Sequence, residues 1–141
     1  MTVNPEQIAA RQECANLIAA FAYHVDHREF DRAVALFASD GAFIRPDLTA
    51  RGHAEIAAIW EGRPTSLVTR HFLSAPFFTL VEADSVTAVT AFTLYTVEWN
   101  GEGLPSFEKP AAIAEFYDRF VLEDGAWRIA ERQGRPVLLA V

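Results

Sequence analysis

The stretch SVTAVTAFTLYTVEW, residues 85–99, decides the fold because it is long and rich in the β-branched and aromatic residues that favour strands. Segments of similar composition occupy residues 68–81, 112–122 and 126–139. Short polar turns join neighbouring segments at residues 82–84 and 123–125. The second half of the chain is therefore predicted to form an antiparallel meander of long strands.

The residues before this meander predict helices. Asn4 is a candidate N-cap, Pro5 suits the first helical position, and Gln7 completes a capping box. From there an apolar stripe with helical spacing runs to about His27; its members are Cys14, Leu17, Ile18, Phe21 and Val25. The first helix is the most strongly indicated element of the chain.

Two shorter helices follow in the prediction. One contains Phe30, Ala33, Val34 and Phe37 and is expected to end at the turn Ser39-Asp40-Gly41, before an extended piece at residues 42–45. The other runs from His53 to Trp60 and is stopped by Gly62-Arg63-Pro64. Helices first and strands later indicate an α+β fold, with the helices on one face of a twisted sheet. Residues 100–110, with two Gly and two Pro, are predicted to form a mobile rim.

The size and composition of the chain limit the classes of function that it can have. The 141 residues fit a single domain, 1–141, with a net charge of −7, and Lys and Arg form no basic run. We therefore expect no nucleic-acid partner. Cys14, the lone cysteine, reads as a small core residue. No secretory signal or membrane-spanning segment is apparent, so we expect a cytoplasmic protein.

Several pieces of the chain, taken together in order, resemble a known family. They are Asp26 with Phe30-Asp31 and Leu36-Phe37, residues 41–43, Gly52 with Ile56, residues 69–72, and residues 124–129 with Arg132. The chain resembles the SnoaL-like, polyketide-cyclase-like family of the nuclear transport factor two-like superfamily, which is related to scytalone dehydratase and ketosteroid isomerase. The resemblance implies a cone-shaped fold in which three helices pack on a strongly curved antiparallel sheet and enclose an apolar pocket. It also implies frequent dimerisation through the outer face of the sheet.

Three residues are candidates for catalysis. Asp26 shares a helical row with small alanines, so its carboxylate is expected to turn inward, where desolvation would raise its pKa towards that of a general base. Periodicity alone does not place His71, but the resemblance implies that it faces the pocket near Asp26, forming a pair for proton transfer. Tyr23, one turn before Asp26, would assist by donating a hydrogen bond to a substrate oxygen.

Each of these candidates also has a structural interpretation. Asp26 could simply bond to the turn after the helix, His71 could be a satisfied core histidine, and Tyr23 could be a boundary aromatic. The predicted pocket walls, for which simple core packing is the alternative, are Phe21, Phe43, Trp60, Phe92 and Phe116.

Other polar residues are assigned structural roles. Asp118 and Arg132 flank the turn at residues 123–125 at similar distances and are predicted to pair across the hairpin. His24 and His27 have a metal-compatible separation but no third ligand, so a solvated face is expected and no metal. The chain also carries no phosphate loop, dinucleotide fingerprint or nucleophile elbow, which predicts action without a cofactor.

Two functions remain open from the sequence. The first is a cofactor-independent lyase or isomerase, of the dehydratase or cyclase kind, that moves a proton on a small hydrophobic carbonyl compound, aromatic or polycyclic. The second is a non-catalytic protein of the same fold that binds a small ligand or serves in assembly. Ala75, where many relatives have Asn, favours the second because a polar pocket group would be missing. A sheet that is apolar on both faces also predicts a homodimer.

Overall fold

A single mixed sheet with three helices makes up the α+β fold. The structure, a computed structural model, describes residues 4–141. Its helices are α1 (Pro5–Asp26), α2 (Phe30–Val34) and α3 (Gly52–Ala58). Its strands are β1 (Phe37–Arg45), β2 (Leu48–Arg51), β3 (Leu67–Leu73), β4 (Phe77–Val81), β5 (Ser85–Glu98), β6 (Ala112–Glu123) and β7 (Ala126–Leu139). The third helix therefore follows the first two strands instead of preceding the sheet.

The strands form one curved, open sheet in the order β2-β1-β7-β6-β5-β3, with β4 also paired to β5. The neighbours β5, β6 and β7 are the antiparallel meander that the sequence predicts. The expectation of a purely antiparallel sheet is wrong at one place, because β1 runs parallel to β7. A parallel pair needs a long connection, and here residues 46–125, which contain α3 and the strands β2 to β6, connect β1 to β7.

Helix α1 forms as its sequence predicts. The Asn4 side chain accepts a hydrogen bond from the Gln7 amide, and the Gln7 side chain accepts one from the Asn4 amide, so the capping box is confirmed. All five residues of the predicted apolar stripe are buried against the sheet. Within that stripe, burial raises the pKa of the Cys14 thiol to about 12, so Cys14 is an inert core residue.

The second helix is shorter than its pattern predicts. It ends at Val34, and Phe37, expected on its apolar stripe, begins β1 instead. The Ile129 amide donates a hydrogen bond to the Leu36 carbonyl at 2.9 Å, and Phe37 is paired with Ile129. Gly41, expected to end the helix, lies inside β1, where the pairing with β7 is irregular between Phe37 and Ala42. Pairing with a distant strand has overridden the local helical pattern.

The segment expected to be one strand over residues 68–81 is two. β3 and β4 pair with successive parts of the long strand β5, so that Leu73 lies opposite Phe92 and Phe77 opposite Val89. The break includes Pro76, which has no amide hydrogen to donate to a sheet. The short strand β2, an antiparallel hairpin partner of β1, was not predicted either. Across residues 4–141, no helix is long and apolar enough to cross a membrane.

Candidate active site

Asp26, the last residue of α1, and His71, on β3, meet in the structure. The Nδ1 atom of His71 lies 2.7 Å from Oδ1 of Asp26, and the His71 backbone amide donates to Oδ2 at 2.8 Å. Both side chains are largely buried, with 5% of Asp26 and 11% of His71 exposed. With Nδ1 held by the carboxylate, Nε2 is the ring nitrogen that remains available to a ligand.

A third residue completes this contact. The Thr69 hydroxyl donates to Oδ1 of Asp26 at 2.9 Å. Side chains alternate along a strand, so Thr69 and His71 share the inner face of β3 while Arg70 points to the outer face. The two successive inner side chains thus hold one carboxylate. Thr69 was not identified from the sequence, although its spacing of two residues from His71 is the signal that could have found it.

The electrostatics of Asp26 differ from the sequence-based expectation. Burial raises the pKa of this carboxyl, as predicted, but the hydrogen bonds and the charge of His71, with the hydrogen bond from Thr69, outweigh burial and leave the pKa below its usual value. Asp26 is therefore ionised at neutral pH. It is suited to orienting the imidazole and stabilising its protonated form, rather than to taking the proton itself.

The His71 side chain faces a cavity of about 380 Å³ between the helices and the sheet. This volume is in the range of small-molecule sites. All five aromatic residues expected as pocket walls line it: Phe21, Phe43, Trp60, Phe92 and Phe116. Phe92 stacks on Phe116 with ring centroids 4.2 Å apart, and the His71 ring lies 5.5 Å from that of Phe92. The imidazole is thus set into an apolar, aromatic wall.

Tyr23 does not belong to this site. Its side chain is 55% exposed, its ring stacks on His27 at 4.0 Å, and it does not line the cavity. Three residues along a helix correspond to a rotation of about 300°, which leaves two such side chains about 60° apart. Here that difference is enough to turn Asp26 towards β3 and Tyr23 towards solvent.

Arg63 is the second residue that the sequence did not identify. It follows α3 in a turn, lines the cavity, and donates from Nη2 to the Thr69 hydroxyl at 2.8 Å. A chain of contacts therefore runs from Arg63 through Thr69 to Asp26 and His71. Gly62-Arg63-Pro64 reads as a helix stop in the sequence, and no local pattern distinguishes this arginine from a solvated loop residue.

The remaining polar candidates have structural positions. Asp118 and Arg132 face each other on β6 and β7 and form a fully buried double hydrogen bond at 2.8 and 2.8 Å, as predicted. His24 binds Glu29 and not a metal ligand set. Within the described part of the chain, no group of three or more potential metal ligands is present. Ala75 is exposed between β3 and β4 and does not line the cavity, so it removes no polar group from it.

The SnoaL-like domain model matches residues 6–133, which is nearly the whole chain. The chain belongs to the SnoaL-like domain family. The resemblance inferred from the sequence is thereby confirmed. No curated protein matches the chain.

Solved structures support the fold of this SnoaL-like domain. A candidate scytalone dehydratase from Novosphingobium aromaticivorans has 18% identity and a TM-score of 0.80, covering 96% of this chain and 89% of its own. The type-3 hexachlorocyclohexane dehydrochlorinase LinA from Novosphingobium barchaimii has 16% identity and a TM-score of 0.79, covering 96% and 91%. ActVI-ORFA from Streptomyces coelicolor has 22% identity and a TM-score of 0.74, covering 91% and 97%. At such identities the similarity establishes the fold alone.

Proposed function

We propose that the protein is a proton-transfer enzyme of the lyase or isomerase type that acts, without a cofactor, on a small hydrophobic carbonyl compound held in the aromatic cavity. The single observation that carries this proposal is the buried contact between Nδ1 of His71 and the Asp26 carboxylate, with the imidazole facing a cavity of suitable size. A dehydratase candidate and a dehydrochlorinase among the structural relatives support the same class of reaction.

In this proposal His71 is the base and Asp26 its positioning residue. Nε2 takes a proton from a carbon next to the substrate carbonyl, and the electron pair of the broken C–H bond moves into the enolate. The imidazolium formed is stabilised by the ionised Asp26, whose backbone and side-chain contacts with residue 71 also fix the ring tautomer. Return of the proton to another carbon gives an isomer, and departure of a leaving group instead gives a lyase reaction.

The contrast between the carboxylate and the cavity supports this division of roles. The lowered pKa of Asp26 makes its carboxylate a poor base, and its contact with Nδ1 leaves Nε2 of His71 as the ring nitrogen available to a substrate. The cavity walls around His71 are mainly carbon atoms, and an apolar surrounding strengthens the attraction between the imidazolium and its carboxylate. These two features together favour a histidine base over a carboxylate base.

Deuterium exchange tests the proposal without knowledge of the natural substrate. In D₂O, a base that removes a proton next to a carbonyl incorporates deuterium even where no net reaction occurs. We expect the wild-type protein to accelerate exchange in a bicyclic aromatic ketone such as 2-tetralone, measured by mass spectrometry. His71→Ala should slow that exchange on the order of 10²-fold, with ketone affinity nearly unchanged, because a general base acts mainly in the transition state.

His27→Ala provides the matched control, since His27 lies outside the cavity and bonds only to the Tyr23 carbonyl through its ring. Its exchange rate should equal that of the wild type. The proposal that the protein is an enzyme would be contradicted by a panel of ketones that bind the wild type and compete with one another but show no accelerated exchange. That result would favour a non-catalytic binding protein, in which His71→Ala changes affinity by about 1 kcal/mol and Trp60→Ala by more.

A further inference from the structure

The charged residues of the cavity are all cationic or potentially cationic, although the chain as a whole carries a net charge of −7. Arg45, Arg63 and Arg135 line the cavity together with His71, and no Asp or Glu is among the lining residues. A cluster of one sign inside a protein of the other sign produces a local field that attracts the opposite charge. The apolar walls add to this effect because they exclude water.

Arg63 is held firmly beside the proposed base. Its guanidinium lies 5.7 Å from the centre of the Phe30 ring, and that ring stacks on Trp60 at 5.3 Å. Its backbone carbonyl accepts a hydrogen bond from Arg28, which also donates to the carbonyls of Pro64 and Leu67. Arg28 adopts a left-handed backbone conformation, φ 61°, which is strained for a residue other than glycine. The loop that carries Arg63 is therefore fixed at both its side chain and its backbone.

The hydrogen-bonding capacity of Arg63 is only partly used. Nη2 donates to Thr69, but Nε is buried without a partner. Over residues 4–141, no carboxylate lies within 4 Å of its guanidinium. Burial lowers its pKa, the charge of Arg28 lowers it further, and Asp26 acts in the opposite direction from beyond Thr69. An arginine nevertheless stays charged, so this cation lacks a direct counter-ion.

The other two arginines have partners of their own. Arg45 lies 3.8 Å from Asp47, and Arg135 donates to the Gln133 side chain at 2.9 Å while covering the Tyr117 ring. A buried donor without an acceptor carries a desolvation cost that a bound ligand relieves. Of these three arginines in the described chain, Arg63 is the one with a buried side-chain nitrogen that has no partner, so it gains most from binding an anion.

We infer that the ligand of this cavity is an apolar molecule bearing a carboxylate, and that Arg63 binds the carboxylate. The inference rests on the proposed function, whose substrate class it defines. Arg63 donates to Thr69, and Thr69 and His71 both bond to Oδ1 of Asp26 from the inner face of β3. A carboxylate bound by Arg63 therefore lies beside the imidazole. The carbon that loses its proton is thereby placed near the acid group of the same molecule. Arg63 then acts as a specificity-determining residue, separate from the base.

A pair of isosteric ligands tests this inference. 2-Naphthoate and 2-naphthamide have nearly the same shape, and only the first is an anion. We expect calorimetry to show that the wild type binds naphthoate on the order of tenfold more tightly than naphthamide. Arg63→Gln should remove that difference by weakening naphthoate alone, and Arg63→Lys should retain part of it, because a lysine keeps the charge without the planar donors.

Arg119→Gln is the matched control, since it removes the same charge from an exposed position on β6. It should leave both affinities unchanged, and the melting temperatures of all variants report whether they fold. Equal affinities for the two ligands in the wild type, binding of neither, or equal losses in Arg63→Gln and Arg119→Gln would each overturn the inference. Binding is measured without turnover, so failed deuterium exchange by His71 would leave a naphthoate preference standing and would count against the enzyme alone.

Discussion

At the scale of single residues, the Asp26 carboxylate is held by the imidazole of His71 and by two further hydrogen-bond donors. Oδ1 of Asp26 accepts a hydrogen bond from the Thr69 hydroxyl and contacts Nδ1 of His71, while Oδ2 accepts one from the His71 backbone amide. All three contacts are to the ionised carboxylate, which explains why its pKa falls in spite of burial. Asp26 therefore contributes to folding stability as well as to the proposed reaction.

Asp26→Asn should destabilise the protein in a pH-dependent manner. The Asn side chain places an NH₂ group where one carboxylate oxygen accepts a hydrogen bond, so two donors face each other. This should lower the free energy of unfolding by roughly 1–3 kcal/mol at neutral pH. Because the folded-state pKa of Asp26 is lowered, its contribution exists above the unfolded-state pKa and is lost as the pH falls through the folded-state value. Urea unfolding of both proteins between about pH 6 and pH 3 should show the gap narrowing with acid.

Asp31→Asn, an exposed change on α2, controls for general charge effects and should give no such gap. A gap between wild type and Asp26→Asn that widens with acid would contradict the lowered pKa.

The sequence predicted part of this site and missed part for physical reasons. Asp26 and the five aromatic wall residues stand out by type and spacing, and the cavity contains all five. His71 required the family resemblance, because both faces of its strand are partly apolar. Thr69 was missed because its partner Asp26 lies 43 residues away, although its spacing from His71 places both on one strand face. Arg63 was missed because no local pattern distinguishes it from a solvated loop residue.

At the scale of secondary-structure elements, the decisive contact is the approach of β1 to β7. A Cβ atom added to Gly41 would lie 2.8 Å from the Ile129 carbonyl oxygen and 3.0 Å from that of Ala38. Both atoms belong to the backbone and have little room to move. Gly41 is therefore required for close approach of the two strands, and not for the helix end that its sequence context predicts.

Gly41→Ala should destabilise the fold by about 1–3 kcal/mol, the usual cost of overpacking a rigid site. Gly134→Ala provides the comparison within the same sheet, because its added Cβ would have no neighbour closer than the Phe116 ring at 3.7 Å. The urea midpoint should fall for the first variant and stay near the wild-type value for the second. Equal midpoints for the two variants would mean that the strands can separate at Gly41 without cost.

Element boundaries show how far local patterns determine this fold. α1 and β7 have the predicted residues because each carries its own signals, a capping box and a long apolar strand after a tight turn. The second helix was predicted too long because Phe37 continues a helical spacing, while its actual partner, Ile129, lies far along the chain. Contacts of this kind can be recognised only after the sheet order is known.

At the scale of the whole molecule, the outer face of the sheet carries an exposed aromatic cluster. Phe72 on β3 contacts Tyr95 on β5 with centroids 5.7 Å apart, and Tyr95 contacts Phe107 of the long loop at 5.0 Å. Phe72 is 63% exposed and Phe107 is 66% exposed. A contiguous cluster of exposed aromatic side chains such as this one usually marks a surface that contacts another molecule.

We expect the protein to form a homodimer through this outer cluster. Light scattering of the purified wild type at micromolar concentration should give twice the monomer mass, and Phe72→Glu should give a monomer, since a buried charge without a partner opposes association. Gln12→Glu, an equal charge change on an exposed part of α1, should remain dimeric. A monomeric wild type, or a dimer unaffected by Phe72→Glu, would show that this cluster is not the interface.

The position of β7 between β1 and β6 has a consequence for the nascent chain. β1 is made early but lacks its parallel neighbour until residues 126–139 have been synthesised, at about 5–20 residues per second on a ribosome. During those seconds the edge of β1 that pairs with β7 is open, and the part of α1 that packs on β7 is uncovered. The pairing of β1 with β7 is consequently a late event between residues far apart in the chain, so we expect slow folding and an unfinished chain that chaperones can bind.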